Sequence, residues 1–226
     1  MFGTADNKRM LTETTVTNTK TWFNDFESHL LEDQKPSVYF ETLLEDGLFP
    51  SEYPFSMIAD LKKVSQQPDH HPEGDVFNHT MQVTDLAATV KHESEHPRAF
   101  MWAALLHDLG KIPTTKLRNG RITSYDHDKE GEKLARSFLK QCTDDQDFIS
   151  RVCALVRWHM QVLFIANNLP FADLRSMLRS VRPGEIALLA YCDRLGRGKL
   201  TPEKIDKEQK SIKQFLARCD AARGRC

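Results

Sequence analysis

Apolar side chains recur every three or four residues from Trp22 onward, and this spacing constrains the fold more than any other feature of the chain. It is the spacing of one face of an α-helix, whereas a half-buried strand would alternate every second residue. Prolines and glycines interrupt the pattern and mark the segment ends. The predicted helices cover residues 37–46, 76–92, 97–109, 128–141, 145–161, 171–180, 184–195 and 202–218. The sequence therefore predicts an all-α helical bundle.

One short stretch departs from the helical spacing. The segment RNGRITSYD, residues 118–126, contains Asn119-Gly120, a dipeptide typical of a tight hairpin turn. We expect a small hairpin here and no other strand pattern along the chain.

Composition divides the chain into three parts. Residues 1–20 are rich in Thr and Asn and show little periodicity, which predicts a flexible N-terminal lead-in. Residues 21–200 hold most of the helical segments, and residues 201–226 form a C-terminal helix with the polar tail CDAARGRC. With 226 residues, of which 40% are apolar, the chain can bury one substantial core.

Composition also excludes several classes of protein. The 31 basic and 32 acidic residues give a net charge of −1, so no global positive charge favours nucleic acid, and no DNA-binding motif is present. The five cysteines include no C-x-x-C pair, which argues against a disulfide framework or a thiolate zinc site. The chain has neither a long uncharged apolar run nor a secretion signal, which predicts a cytoplasmic protein without membrane contact. It also lacks the G-x-x-x-x-G-K-[ST] loop of kinases.

Ionisable residues occupy positions on the apolar stripes where a core side chain is expected. In the helix that carries Val83, Leu86 and Val90, for example, His79 lies four residues before Val83 on the same face. The residues placed in this way are His79, His107, Asp108, His127, His159 and Asp193. Burial of even one uncompensated carboxylate would cost several kcal/mol, so a common compensating partner is required.

A divalent metal ion would compensate all six residues at once. A single buried histidine bonded to a backbone carbonyl, or one aspartate paired with arginine, needs no metal, but six such placements together are harder to explain without one. Imidazole nitrogens and carboxylate oxygens are suitable ligands for manganese, iron, cobalt, nickel or zinc. The sequence therefore predicts a metal site in the core of the bundle.

These residues lie in motifs of a known family. His79, the doublet in ALLHDLGK and Asp193 resemble the H…HD…D signature of the HD-domain metal-dependent phosphohydrolases. The stretches YFETLLEDGLFP, HHPEGDVFNHT, DHDKEGEKL and YCDRLGRG extend the resemblance, in order over residues 37–200, to the HD region of bacterial CCA-adding tRNA nucleotidyltransferases. The 36 residues before the resemblance begins are too few for the nucleotidyltransferase head of those enzymes, so we expect hydrolase chemistry and not nucleotide addition.

The resemblance implies roles for the predicted ligands. His79, His107, Asp108 and Asp193 would hold one metal, with Asp108 placed to bridge to a second. His127 and His159 would complete that second site or would instead contact the substrate phosphate. One or two divalent transition metal ions are therefore expected.

Basic residues near the ligands are expected to hold the substrate. Lys111, within one turn of the doublet, is the predicted phosphate-binding and catalytic cation beside Asp108. Arg194 and Arg197 follow Asp193 within one turn, in a segment, residues 171–200, whose six basic and three acidic residues give a local charge of +3. A second basic cluster comprises Lys116, Arg118 and Arg121. Each of these cations could instead be a solvated surface charge.

The sequence favours a metal-dependent phosphohydrolase that acts on nucleotides or RNA ends, as a phosphatase, a 2′,3′-cyclic phosphodiesterase or both. Two alternatives stay open at this point. Some HD-fold proteins with all six ligand types are di-iron oxygenases, and a non-catalytic module could keep the metal for stability while its basic face binds RNA.

Overall fold

The computed structural model describes residues 5–67, 73–198 and 200–224, with side chains described from residue 18 onward. Helices account for most of this part of the chain, as predicted. They are α1 (Ala5–Glu32), α2 (Ser37–Glu45), α3 (Ser56–Asp60), α4 (Val76–Val90), α5 (Pro97–Leu106), α6 (Lys111–Thr114), α7 (His127–Cys142), α8 (Gln146–Trp158), α9 (Gln161–Ala166), α10 (Leu174–Ser180), α11 (Pro183–Leu195) and α12 (Pro202–Arg223). Short 3₁₀ turns follow α3 and α4. The all-α prediction is confirmed.

Helix α5 is the centre of the bundle. Every side chain from Ala99 to Leu106 is buried, and a helix that is apolar on all sides requires neighbours on all sides. Helices α1, α4, α8 and α11 supply those neighbours. The chain leaves α5 at Leu106, so the next two residues, His107 and Asp108, emerge in the middle of the core.

The N-terminal helix differs from the prediction for residues 1–20. Backbone from Ala5 onward is helical and continuous with the part of α1 that packs on the core. Phe23, Phe26 and Leu30, spaced by three and four residues, are the buried face that holds the helix in place. The Thr-rich stretch before them carries no apolar stripe of its own, which is why its sequence does not predict a helix.

The predicted hairpin is confirmed. Strands β1 (Thr115–Arg118) and β2 (Arg121–Ser124) pair in antiparallel register across the turn at Asn119-Gly120. Both turn residues have left-handed backbone conformations, with φ of 49° and 75°, as a two-residue hairpin turn requires. These are the only strands in the described part of the chain.

The predicted helix over residues 145–161 is divided into two. Helix α8 ends at Trp158, and α9 begins at Gln161 after a turn that contains His159. The combined stretch Gln146–Ala166 is long and apolar enough to be considered for a membrane span, but 61% of its 18-residue apolar window is buried inside this fold. Its apolar character is therefore explained by the core.

The cysteines pack inside the protein, as predicted. Cys142, Cys153, Cys192 and Cys219 are buried free thiols, and Cys226 lies outside the described residues. Burial raises the pKa of Cys142 to about 12 and that of Cys153 to about 11, which keeps both thiols protonated and unreactive at neutral pH.

Candidate metal centre and phosphate pocket

Asp108 lies at the centre of the site, in the turn between α5 and α6. Its side chain is 2% exposed, and it is surrounded by imidazoles from α4, from α7, from the turn after α8 and from its own turn. Gly110 allows the approach of α7, because a Cβ at this position would lie only 1.9 Å from the backbone oxygen of His127. The glycine in ALLHDLGK therefore has a steric role beside the doublet.

The first group of candidate ligands lies deepest in the core and is called the inner group here: His79, His107, Asp108 and Asp193. His79 Nε2 is 3.1 Å from Asp193 Oδ1 and 3.7 Å from Asp108 Oδ2. His107 Nε2 is 3.3 Å from the same Asp108 oxygen. The N-cap Asp75 accepts a hydrogen bond from Asn78 N at 2.8 Å and so starts α4 one turn before His79.

The second group shares Asp108 with the first and is called the outer group: Asp108, His127 and His159. Nε2 of His127 and of His159 lie 3.6 Å and 3.9 Å from Asp108 Oδ1. The two Nε2 atoms are 3.2 Å apart. His127 begins α7, and His159 follows α8, so both histidines are positioned by helix ends. Asp108 thus faces the inner group with one oxygen and the outer group with the other.

The contacts of Nδ1 in each imidazole indicate which ring nitrogen carries the proton. Nδ1 of His107, His127 and His159 each donates to a backbone carbonyl, from Ala104, Ser124 and Val156, at 2.7–2.9 Å. Nδ1 of His79 lies 2.9 Å from Glu73 Oε1. In the neutral rings, the Nε2 lone pairs must then point at one another or at carboxylate oxygens.

The Nε2 lone pairs point toward a common region, and this arrangement is suited to binding a metal ion. Two imidazole acceptors facing each other at 3.2 Å repel unless a cation or a proton lies between them. Nε2 of His107 is fully buried and has no hydrogen bond of good geometry to any described residue. Carbonyl or carboxylate contacts at the remote nitrogen are the usual support of metal-binding histidines. The six residues therefore have the donor chemistry and orientation of a divalent metal centre.

Electrostatics differ between the two groups. Burial lowers the pKa of His127 and, with repulsion from His127 and His107, lowers that of His159 to about 4. Burial also opposes protonation of His107, but Asp108 outweighs it and raises the pKa of His107. Burial alone would raise the pKa values of Asp108 and Asp193. The combined effect of their neighbours, led by Lys111 and His107 for Asp108 and by Arg197 and His79 for Asp193, holds both pKa values well below the usual range.

A pocket of about 190 Å³ opens onto this centre. Lys111 lines it and lies 2.7 Å from Asp108 Oδ2. Arg197 also lines it, with a terminal guanidinium nitrogen 3.1 Å from Asp193 Oδ1 and Nε donating to Asp193 O at 3.0 Å. The structure thus brings eight predicted site residues together. Six of them form the centre, and Lys111 and Arg197 line the pocket that opens onto it. The six are His79, His107, Asp108, His127, His159 and Asp193.

One predicted substrate contact, Arg194, is placed elsewhere. Arg194 is buried against α12, where it forms an ion pair with Glu208, and it is not among the residues that line the pocket. Lys199, which contributed to the predicted local charge, lies outside the described residues, as do residues 70–72 of the HHPEGDVFNHT motif. Helix α11 explains the placement of Arg194, since consecutive residues project about 100° apart and only one of Asp193 and Arg194 can face the centre.

Several contacts of the site have no signal in the sequence. Gln66, 5% exposed, accepts from Lys111 Nζ at 2.7 Å and donates to Asp75 O at 3.1 Å. Gln67 accepts a hydrogen bond from Ile122 N at 3.2 Å and so ties β2 to the same loop. Both residues lie outside any helix, so periodicity could not assign them, and a glutamine has no distinctive ligand chemistry.

Comparison with known proteins shows that all six residues of the centre lie within the region that matches a protein family. The sequence matches the HD domain family over residues 76–215, which extends into α12. A multifunctional CCA protein of Actinobacillus pleuropneumoniae serotype 5b is 40% identical over 116 residues, which are 50% of this chain and 27% of that protein. The multifunctional CCA protein of Pasteurella multocida is 31% identical over 203 residues, 87% of this chain and 47% of that protein. The chain spans less than half the length of either relative.

Proposed function

Because this chain belongs to the HD domain family, within a superfamily of metal-dependent phosphohydrolases, we propose that it hydrolyses phosphate esters of nucleotides or RNA ends. The proposed activities are those of a phosphatase, a 2′,3′-cyclic phosphodiesterase or both. The observation that carries the proposal is the set of four buried imidazoles whose lone pairs converge on the single carboxylate of Asp108.

His79, His107, Asp108 and Asp193 would hold one divalent transition metal ion, and Asp108, His127 and His159 would hold a second. Manganese, iron, cobalt, nickel and zinc all accept this mixture of nitrogen and oxygen ligands. When bound, such an ion lowers the pKa of a coordinated water and polarises phosphoryl oxygens. Asp108 is the proposed catalytic carboxylate, because it belongs to both groups of candidate ligands.

Lys111 is the proposed phosphate-binding cation. Its ammonium is fixed between Asp108 and Gln66, and its third N–H can point into the pocket. A fixed cation there counters negative charge that accumulates on the phosphoryl oxygens as the ester bond breaks. Arg197 adds a second positive charge at the pocket wall while it orients Asp193.

The small size of the pocket suits a substrate of which only the phosphoryl end enters, while the rest of the ester stays outside. A volume of about 190 Å³ is smaller than pockets that enclose a drug-sized ligand, roughly 300 Å³ or more. The relatives are named as CCA proteins, and the sequence motifs resemble the HD region of CCA-adding tRNA nucleotidyltransferases. An RNA end is a substrate of this kind.

The test is a phosphatase screen on purified protein with its metal content measured by elemental analysis. Substrates are 2′,3′-cyclic AMP, 2′-AMP, 3′-AMP, 5′-AMP and an aryl phosphate, each with added manganese, nickel or cobalt. We expect opening of the cyclic phosphate and full suppression by a chelator. The proposal would be contradicted by metal-loaded protein that turns over none of these esters.

A second candidate follows from the shared carboxylate. Asp108 belongs to both ligand groups, an arrangement that suits two ions and therefore also a di-iron oxygenase. Turnover measured without oxygen separates the two activities, because ester hydrolysis needs no oxidant. Oxygen consumption together with inactivity on every phosphate ester would favour the oxygenase.

A further inference from the structure

The hairpin beside the pocket has a charge that differs from the rest of the chain. Residues 115–125, from Thr115 to Tyr125, contain three basic and no acidic residues, although the whole chain has a net charge of −1. The basic residues are Lys116, Arg118 and Arg121. Lys116 and Arg121 are exposed and Arg118 is partly buried, so these charges meet either solvent or a partner of the opposite sign.

The two faces of the hairpin have different chemistry. Arg118 pairs with Arg121, and Lys116 with Thr123, so the three cations share one face. Ile122 and Ser124 lie on the other face and line the pocket of the metal centre. The hairpin is therefore the pocket wall on one side and a cationic surface on the other.

These cations have no acidic partner in the described structure. No carboxylate among residues 5–67, 73–198 and 200–224 lies within 4.0 Å of Lys116, Arg118 or Arg121, even though like charges of Arg118 and Arg121 are directly opposed. Basic side chains just beyond the hairpin are paired, as Lys129 is with Asp126 at 2.6 Å. Like charges placed directly opposite each other oppose pairing of the two strands, and a bound anion would relieve that repulsion.

An exposed aromatic side chain lies against the same surface. Tyr125 is 62% exposed, and the Arg118 guanidinium lies 4.9 Å from its ring centre. Leu117 is 74% exposed on the hairpin as well. Aromatic rings beside arginines, next to a row of cations, are the combination that binds single-stranded nucleic acid by base stacking and phosphate contacts.

We propose that the hairpin binds the polynucleotide strand that leads to the scissile phosphate, so that the enzyme acts on RNA ends in preference to mononucleotides. This inference rests on the proposed function and specifies its substrate. The pocket admits little more than the phosphoryl end, and the strand must then cross its rim, of which the hairpin forms one side. Residues two apart along β1 are separated by about 6.6 Å, so Lys116 and Arg118 can contact successive phosphates of an extended strand.

The test compares variants on two substrates that carry the same reacting group. Lys116, Arg118 and Arg121 are changed together to Gln, and the control changes three exposed lysines outside the pocket, Lys140→Gln, Lys204→Gln and Lys213→Gln. Substrates are 2′,3′-cyclic AMP and a short oligoribonucleotide with a 2′,3′-cyclic phosphate end. We expect the ratio of kcat/KM for the oligonucleotide to that for the mononucleotide to fall at least about 10-fold in the hairpin variant alone. Tyr125→Leu is expected to lower the same ratio by a smaller factor.

Binding gives a second readout that does not depend on turnover. The probe is a fluorescent oligoribonucleotide with a 3′-phosphate, titrated by anisotropy over a range of salt. We expect the slope of log affinity against log salt to become smaller by about 2 when three phosphate contacts are removed, at about 0.7 per contact. An equal loss in the control, an unchanged substrate ratio or equal binding of a poly-glutamate peptide would overturn the inference. Inactivity on both esters with the expected binding result would instead reject the proposed function alone.

Discussion

The inner and outer groups of the candidate metal centre share Asp108 but differ in charge. In the inner group, two imidazoles meet two carboxylates, and Glu73 adds a third carboxylate behind His79. In the outer group, two imidazoles with lowered pKa values meet only the shared carboxylate. The inner group thus carries more negative charge and is more deeply enclosed. The difference teaches that two ions bound here would be held unequally, the inner one more tightly.

The largest effect is expected from removal of the shared ligand. His107→Ala combined with Asp108→Ala removes two of the four candidate ligands of the inner group, and Asp108 is also the only carboxylate of the outer group. We expect both ions to be lost and turnover to fall about 10³-fold or more. Elemental analysis and a phosphatase assay on the same sample measure the two effects.

Asp144→Ala, at an exposed position, is the control for loss of a carboxylate. Normal turnover in the double variant would show that Asp108 is a structural residue, and the comparison of the two groups would then lose its basis.

A comparison of single histidine variants tests the inequality directly. His79→Ala leaves the carboxylates of Glu73 and Asp193 buried without their imidazole partner, whereas His159→Ala removes a neutral ring. We expect His79→Ala to lose most metal and about 100-fold in turnover, and His159→Ala to keep the inner ion and lose about 10-fold. Metal content per chain after dialysis distinguishes the variants. Equal metal loss in both would indicate that the two groups act as one site.

The candidate ligands of both groups could be picked out from the sequence because the helical period of a neighbouring apolar stripe runs through their positions. This holds even for His107, Asp108 and His159, which the structure places in turns just after helix ends. His79 on α4 and Asp193 on α11 take positions that a core side chain would otherwise fill, and the 3.6-residue period reveals them. His127 and His159 were found in the same way, although the structure places them at helix ends. The signal survives there because the first and last turns of α7 and α8 keep the helical phase.

Loop contacts could not be predicted for a physical reason. Gln66 and Gln67 act through hydrogen bonds across 45 and 55 residues, and neither periodicity nor spacing encodes such pairings. The boundary between α8 and α9 was also missed, because the apolar pattern continues through the turn at His159. The N-terminal half of α1 is helical although its sequence has no apolar stripe, so a prediction based on hydrophobic spacing cannot detect it.

Removal of the proposed phosphate contact should spare both groups of candidate ligands. Lys111→Ala deletes a cation that touches Asp108, and loss of that competitor leaves the carboxylate free for metal. We expect metal content to be retained and kcat to fall about 100-fold. Loss of metal would show that Lys111 supports the ligands and does not act on the substrate.

Gln66→Leu should have a smaller effect of the same kind. The amide fixes the Lys111 ammonium but touches no ligand, so we expect retained metal and about a 10-fold fall in kcat. Gln141→Leu, at an exposed position of α7, is the matched control. Combination with Lys111→Ala should add no further loss, because the glutamine acts only through the lysine.

The smallest effect on turnover is expected from a comparison of variants of the two arginines that follow Asp193, Arg194 and Arg197. Arg197 lines the pocket and contacts Asp193 twice, whereas Arg194 is buried against Glu208 on α12. We expect Arg197→Gln to raise KM by about 10-fold. Arg194→Gln should instead lower the free energy of unfolding by about 1 kcal/mol, which corresponds to a fall in Tm of about 2–4 °C. The loss is small because Glu208 is partly exposed, so solvent can replace its lost partner. KM and Tm measured on both variants test this assignment. A KM effect of Arg194→Gln as large as that of Arg197→Gln would mean that the end of α11 rearranges when substrate binds, since Arg194 does not line the pocket in this structure.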